Sequence, residues 1–337
     1  MTSALYAGID VGSKELVVAI ASEKTPNDQW RRLGTKTFAN TFKGIAELTR
    51  YLLTLPEPVA CVCAEATGPY SLRLARDMAA AAPKLPGLAI VNPAWIKGTV
   101  RSLGLREKTD ALDASAIAMH AKFHQPPSTR LRSEHEDELR ELFCLRGEVV
   151  EEITAHKNRL QAARTDVVRQ HLQALIEDLD IHRQAIEDKV QRCVAADEQM
   201  ALDYKLLRSI KGIGKVLAIA ILAEIGDLRC FKREQLASYV GLFPASYQSG
   251  TSVHGRPHMI KGGCWRLRRT LFMATVCWVG RGAGKDTYQN MLARGKTKMC
   301  SLGAHMRKLL QLARAVVVSG KPFDEEEYRR RQSALCA

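Results

Sequence analysis

Four acidic residues of this 337-residue chain stand where their carboxylates can act together. Asp10 and Glu65 each end an apolar segment typical of a buried strand, and Asp110 and Asp113 have the spacing that shares one helical face. Each acid alone is equally well explained as a turn cap or a surface ion pair. As a set they favour Mg²⁺, because clustered carboxylates repel one another unless a hard cation binds them. Two such ions can activate a nucleophile and stabilise the leaving oxygen at a phosphodiester.

A segment near the middle of the C-terminal half offers serine nucleophiles beside cations. Ser246, Ser249 and Ser252 are near-equal candidates, and a plain turn serine is the ordinary explanation of each. A serine hydroxyl is a weak nucleophile unless a base or metal activates it and cations stabilise the phosphate. The hypothesised nucleic-acid ligands that follow are Arg256, Lys261, Arg266, Arg268 and Arg269.

Residues 1–130 predict an α/β domain that positions the acids. Antiparallel strands come first, and helices and strands then alternate, which is typical of an RNase-H-like sheet covered by helices. The expected strands are Leu5–Asp10, Leu16–Ala21, Arg31–Phe38, Val59–Glu65 and Leu88–Val91, with a helix over Phe42–Leu53.

The segment 131–200 predicts two long helices. It lacks proline, lacks glycine after Gly147, and carries apolar residues at spacings of three and four. Arg146, His156 and His182 are interpreted as polar seam residues rather than metal ligands. A dimerising coiled coil is favoured over a purely intramolecular bundle. The seams are Leu139, Leu142, Arg146, Val149, Ile153, His156, Leu160, Ala163 and Val167, then Leu172, Leu175, Leu179, His182, Ile186, Val190 and Cys193.

Residues 201–337 predict a basic, mainly helical domain. They hold 24 of the 50 Lys and Arg residues but only 9 of the 36 Asp and Glu residues, and so all of the net charge of +14. Such a field attracts polyanions, which favours nucleic acid as the partner. Leu207–Leu222 has the form of a helix-hairpin-helix, whose helix start can hold a phosphate beside Lys211 and Lys215.

Composition excludes several other classes of protein. No apolar run approaches the roughly 18 residues that span a bilayer, and no signal peptide is evident, so no membrane partner and a cytoplasmic location are expected. The nine cysteines are scattered without a CxxC pair, so their spacing indicates neither a zinc site nor a disulfide framework.

These segments resemble the insertion-sequence transposases of the IS-one-ten family, also called DEDD transposases or bridge-RNA-guided recombinases. The resemblance covers nearly the whole chain, and the GGCW segment is a minor departure from the family's pattern. The matching motifs are GIDVGSKELVVAI, CAEATGPYS, NPAWIKGTVRSLGLREKTDALDASAIA, SIKGIGKVLAIAILAEIGDLRCF, YVGLFPASYQSG, IKGGCWRLRRTL and AHMRKLL.

The resemblance implies three segments: a RuvC-like domain at 1–130, a coiled coil at 131–200 and a transposase domain at 201–337. It implies that the four acids hold Mg²⁺, two ions in each site, and that Ser249 attacks DNA to form a phosphoserine intermediate. It further implies a structured guide RNA that pairs with target and donor DNA. Family members form dimers that assemble into tetramers, in which the acids of one subunit join the serine of another.

Three other functions are weighed against this one. A Holliday-junction resolvase would hydrolyse DNA with water at the four acids. A non-catalytic nucleic-acid-binding protein would keep the fold without cleavage. A sugar kinase of the actin-like superfamily shares a GIDVGS-like phosphate loop, but the sequence shows neither its second glycine-rich loop nor its adenosine motif.

Overall fold

The computed structural model divides the chain into two compact units, residues 1–131 and residues 132–337. Among the described residues, no helix combines the length and the apolar character that a membrane crossing needs. The described residues are 4–26, 33–104, 109–245, 248–249, 253–254, 258–260 and 262–334.

The first unit is a mixed α/β structure around a five-stranded sheet in the order β3-β2-β1-β4-β5. The β1, β2 and β3 strands pair antiparallel, whereas β4 pairs parallel with both β1 and β5. This order confirms the expectation of antiparallel strands followed by alternating helices and strands. The elements are β1 (Leu5–Val11), β2 (Glu15–Ser22), β3 (Thr35–Ala39), α1 (Phe42–Leu53), β4 (Val59–Glu65), α2 (Pro69–Ala81), β5 (Leu88–Val91), α3 (Pro93–Ser102) and α4 (Asp110–His124).

Helices cover both faces of this sheet, and strand alternation decides which residues each face buries. Ile9 of β1 and Val62 of β4 belong to one buried cluster, together with residues of α1 and α2. Tyr6 and Cys63 point the other way and pack with Ile117 of α4. The face that carries Tyr6 and Cys63 is therefore the face that meets α4.

The second unit is mainly helical, and one continuous buried cluster runs from α5 to α12. The elements are α5 (Glu134–Ala162), α6 (Asp166–Ala196), α7 (Glu198–Arg208), α8 (Lys215–Ile225), a 3-10 turn (Leu228–Cys230), α9 (Arg233–Val240), β6 (Pro244–Ala245), β7 (Gln248–Ser249), β8 (Val253–His254), β9 (His258–Met259), α10 (Trp265–Arg281), α11 (Lys285–Ala293), α12 (Lys298–Ser319) and α13 (Glu325–Ala334).

The two long helices predicted from the seams are α5 and α6, which pack against each other as a hairpin. A capping box fixes the start of α5, because Ser133 accepts from the Glu136 amide and Glu136 accepts from the Ser133 amide. Arg146 does lie between the helices, where it pairs with Glu187 at 2.8 Å. The side chain of His182 is 65% exposed in the single chain, so its interpretation as a seam residue stays a prediction.

A buried ion pair joins α7, the 3-10 turn and α12. Asp203 is 4% exposed and accepts two hydrogen bonds from the Arg229 guanidinium, at 2.7 and 2.8 Å. Gln199 also donates to this carboxylate, and Arg229 donates to the Val317 carbonyl. All three elements are thereby joined through one buried ion pair.

We expect Arg229→Met to destabilise the protein by about 3–5 kcal/mol, because it leaves the Asp203 carboxylate buried without its cation. Urea denaturation followed by circular dichroism measures the change. The double variant Arg229→Met/Asp203→Leu is expected to recover most of the loss, since it removes both charges. Equal instability of the single and double variants would instead assign the effect to lost packing.

Candidate active site

The register of β1 and β4 places two of the four acids side by side. The strands are parallel, with Ile9 opposite Ala64, so Asp10 and Glu65 follow as neighbours at the carboxyl ends. Asp10 shares its face of the sheet with Tyr6, and Glu65 shares its face with Cys63. Both acids therefore face the side covered by α4.

The first turn of α4 brings the other two acids to the same place. Helix α4 packs directly on β1 because Gly8 has no side chain: a Cβ there would collide with the backbone of Ala114 and Ala118. Asp110 and Asp113 lie in the first turn of α4, directly before Ala114, and their charges act on Asp10 near the end of β1. The positive end of the helix dipole also favours carboxylates in this turn.

Electrostatics shows that the four carboxylates interact. Partial burial and, after it, the negative charges of Asp113, Asp110 and Glu65 together raise the pKa of Asp10 to about 6. Asp110 is exposed, whereas the other three acids are half-buried. The structure thus brings the four acids to one edge of the sheet, and their role as a metal site stays a prediction.

The donor chemistry of this cluster fits a hard divalent cation, since all four groups offer carboxylate oxygens. Mutual repulsion opposes closer approach of the acids. Among the described residues, a different group has the spacing of a metal site. One ligand atom from each of His135, Glu138 and Cys193 lies within 4.8 Å of the other two.

Ser249 lies between α9 and α10 in two nested pairs of short strands. The outer pair joins Pro244–Ala245 to His258–Met259, and the inner pair sets Ser249 opposite Val253. The sequence predicted a turn at this serine, and the structure puts it in the two-residue strand Gln248–Ser249. The neighbouring Ser246 and Ser252, and the hypothesised ligands Arg256 and Lys261, lie outside the described residues.

The three arginines at the start of α10 have different surroundings. Arg268 donates to the carbonyls of Gly241, Ile260 and Gly262, and so ties the strand segment to α9. Arg266 lies 3.8 Å from the Glu224 carboxylate. Arg269 is exposed and pairs with Glu151 of α5 at 2.8 Å.

The segment predicted to be a helix-hairpin-helix consists of α7, a glycine turn and α8. Gly212 has a φ of 111°, a conformation that favours glycine, and packs against Trp278. Gly214 precedes α8 without a side-chain cap. Lys211 and Lys215 are both exposed here. The amide groups that begin α8 thus lie between two cations, an arrangement suited to a phosphate.

A cavity of about 660 Å³ opens beside this turn, between α5, α8 and α10. Its lining combines Gly212 and Gly214 with Arg266, Arg269 and the exposed ring of Trp265. The turn and the arginines, which are distant in sequence, therefore border one concave surface.

Sequence reasoning missed the buried acid beneath this surface. Glu224 of α8 is 2% exposed, and its carboxylate lies 3.7 Å from Arg140 as well as 3.8 Å from Arg266. Arg132 donates to the Ala223 and Glu224 carbonyls. A glutamate in an apolar helix was the available signal, because burial of such a charge requires cationic partners.

The chain combines a carboxylate cluster at a sheet edge with a strongly basic helical unit. This combination is typical of one class of protein, the enzymes that act on a nucleic acid. Comparison with known proteins identifies the family. A model described as "Transposase IS116/IS110/IS902 family" matches residues 204–289, and a second, described as "Transposase" and named for the DEDD enzymes of IS110, matches residues 7–168.

Relatives along the whole chain agree. A pilin gene-inverting protein from Moraxella lacunata is 30% identical over 328 residues, which cover 96% of this chain and 98% of that protein, and its counterpart from Moraxella bovis matches equally. An uncharacterized 43.6 kDa protein of insertion element IS110 from Streptomyces coelicolor is 33% identical over 151 residues, 44% of this chain and 34% of that protein. This chain belongs to the IS110 family of transposases and is an enzyme that acts on DNA.

Proposed function

We propose that this chain is an Mg²⁺-dependent, RNA-guided DNA recombinase that cuts and rejoins target and donor DNA through a phosphoserine at Ser249. The observation that carries the proposal is the convergence of Asp10, Glu65, Asp110 and Asp113 at one edge of the sheet. Its fold is proposed to be RNase-H-like in residues 1–130, followed by a coiled coil at 131–200 and a transposase domain at 201–337.

The four acids are proposed to hold two Mg²⁺ ions. Bound there, the ions would neutralise charge at a DNA phosphate and favour ionisation of an attacking hydroxyl. The protein's own contribution is placement: β1 and β4 fix Asp10 and Glu65, and α4 adds Asp110 and Asp113 from one helical turn. Loss of any one carboxylate removes a donor that the other three do not replace.

Ser249 is proposed as the nucleophile. Its Oγ would form a bond to phosphorus as a backbone P–O bond breaks, the serine proton passing to a base and the leaving oxygen becoming a free DNA hydroxyl. Attack by a hydroxyl of another strand then reverses the exchange and frees the serine. The number of phosphoester bonds is unchanged, so rejoining needs no external energy source. The whole-length likeness to pilin gene-inverting proteins supports such conservative recombination.

The basic surface of the second unit is proposed to hold nucleic acid, both the DNA and a structured guide RNA. Arg266 and Arg269 line the α5–α8–α10 cavity, and the exposed Lys211 and Lys215 are next in sequence to its Gly212 and Gly214. Arg256 and Lys261 are also proposed to contact nucleic acid. Arg268 is proposed to act indirectly, because its bonds to three carbonyls place the segment that carries Ser249.

Assembly into a dimer and then a tetramer is proposed to join the acids of one subunit to the serine of another. Apolar side chains along the hairpin support a contact between copies. Val167 and Ile181 are each 65% exposed, and Leu175 is 47% exposed. A second hairpin covering these residues would remove that apolar area from water.

The test is to express the gene with its native flanking DNA, purify the protein and sequence the nucleic acid that accompanies it. A single RNA encoded beside the gene is expected, and it supplies the target sequences for a strand-exchange assay with Mg²⁺. Exchange of target and donor ends then supports the proposal. Cleavage of branched DNA without rejoining, and without a discrete RNA, would point to a resolvase.

The double variant Lys211→Gln/Lys215→Gln is expected to weaken DNA and RNA binding about equally for all sequences. Each lost phosphate contact lowers the slope of log affinity against log salt by about 0.9, so the slope should fall by about 2. Fluorescence anisotropy over a salt series measures it. Lys189→Gln, at an exposed position on α6, is the matched control, and an equal slope for both would place the phosphates elsewhere.

A further inference from the structure

The base of the α5–α6 hairpin brings together three kinds of metal ligand. His135 and Glu138 lie in the first turns of α5, and Cys193 lies in the last turn of α6. One atom from each, an imidazole nitrogen, a carboxylate oxygen and a sulfur, all lie within 4.8 Å of one another. The spacing of three on α5 puts His135 and Glu138 on one helical face, toward α6.

The sulfur forms the floor of this group. Cys193 is 5% exposed, and its Sγ donates to the His135 carbonyl oxygen at 3.4 Å. A carboxylate oxygen of Glu138 lies within 4.8 Å of this sulfur. His135 and Glu138 are exposed at the rim, so an ion can reach the sulfur from solvent between them.

We propose that His135, Glu138 and Cys193 form a zinc site. Nitrogen, oxygen and sulfur donors together are typical of Zn²⁺, whereas Mg²⁺ takes oxygen donors. Binding forms three bonds to the ion and displaces the Cys193 thiol proton to solvent. The thiolate and the Glu138 carboxylate then balance the charge of the ion, and a water completes the tetrahedron. This site is separate from the acids of the first unit and independent of the proposed function.

Such a site cross-links the hairpin at its base. His135 and Cys193 are 58 residues apart, and an ion that binds both closes that long loop. Zinc is therefore expected to stabilise the second unit whether or not DNA is present. At about a hundredfold excess over Kd, the melting temperature should rise by roughly 5 °C or more.

The experiment uses the full-length protein freed of metal with EDTA and then titrated with Zn²⁺ or Co²⁺. One high-affinity ion per chain is expected, with a cobalt–thiolate charge-transfer band and tetrahedral d–d bands in the Co²⁺ spectrum. Cys193→Ser should abolish the thiolate band. His135→Asn and Glu138→Gln should weaken Zn²⁺ binding by more than the roughly 10- to 100-fold that follows the loss of a group that only orients a ligand.

The controls separate this site from other thiols and acids. Cys300→Ser and His171→Asn change exposed residues outside the group and should keep both the band and the affinity. Cys193 is buried, so a second test is needed if Cys193→Ser does not fold. The variants at the exposed His135 and Glu138 then test the zinc site. The proposal is overturned if these two variants bind Zn²⁺ like the wild type, or if the Co²⁺ spectrum of the wild type shows no thiolate band.

Discussion

Asp10→Asn is expected to abolish DNA strand exchange and at the same time to make the metal-free protein more stable. The asparagine keeps the shape of the side chain but removes a negative charge and a metal-binding oxygen. Activity should fall on the order of a thousandfold or more, since the site loses the acid at its centre. A strand-exchange assay at saturating Mg²⁺ measures this loss.

The gain in stability follows from the sign of the pKa shift. Burial and the neighbouring acids raise the pKa of Asp10 from 3.8 to about 6, so between these values the folded state binds the proton more tightly than the unfolded state does. Stability therefore falls as the pH rises through this window, and the full penalty is present above it. After allowance for solvent screening of a half-exposed group, the penalty is about 1–2 kcal/mol.

Urea denaturation in EDTA tests this part of the prediction. At pH 8, Asp10→Asn should be more stable than the wild type, and the difference should vanish near pH 4. Glu47→Gln, at an exposed position on α1, is the matched control and should change neither activity nor stability. A loss of stability in Asp10→Asn at pH 8 would mean that the carboxylate is held by favourable contacts rather than opposed by its neighbours.

Much of the structure of the first unit could be predicted because local sequence patterns determine its helices and strands. The limits of the Phe42–Leu53 helix and the Val59–Glu65 strand coincide with the prediction, since an apolar period and clear end signals define both. The grouping of the four acids was predictable because strand ends and a helix start meet at one sheet edge. Gly8 gave no such signal, although the contact of α4 with β1 depends on it.

The structure of the second unit was less predictable, because contacts between residues distant in sequence determine it. Nothing in the spacing of His135, Glu138 and Cys193 indicates that a helical hairpin brings them together. The role of Arg268 depends on three carbonyls from two separate segments. His182 fits the seam pattern but is exposed in the single chain, because periodicity alone does not say whether the partner is the same chain or a second copy.

The division of the candidate chemistry between two units has a mechanistic consequence. The acids lie in the unit of residues 1–131 and Ser249 lies in the unit of residues 132–337. Neither unit alone carries both the four-acid cluster and the proposed nucleophile. The proposed reaction therefore needs side chains from both units.

Ser249→Ala is expected to abolish formation of the covalent protein–DNA adduct while leaving DNA binding and folding unchanged. Removal of a nucleophile that acts together with its activating groups lowers rates on the order of 10⁴-fold or more. Denaturing gel electrophoresis of labelled DNA after reaction with Mg²⁺ detects the adduct in the wild type. Circular dichroism and a binding assay establish that the variant folds and binds.

A serine control and a nucleophile swap make the result specific. Ser319→Ala, at an exposed residue that ends α12, should leave the adduct intact. Ser249→Cys keeps a nucleophile one atom from Cβ and is expected to form a thiol-linked adduct, slower because sulfur suits an Mg²⁺-assisted phosphoryl transfer poorly. Strand cleavage that persists in Ser249→Ala without any adduct would assign the attack to water and the chemistry to the acids alone. Persistence of the adduct would instead assign it to another side chain, with Ser246 and Ser252 the first to replace.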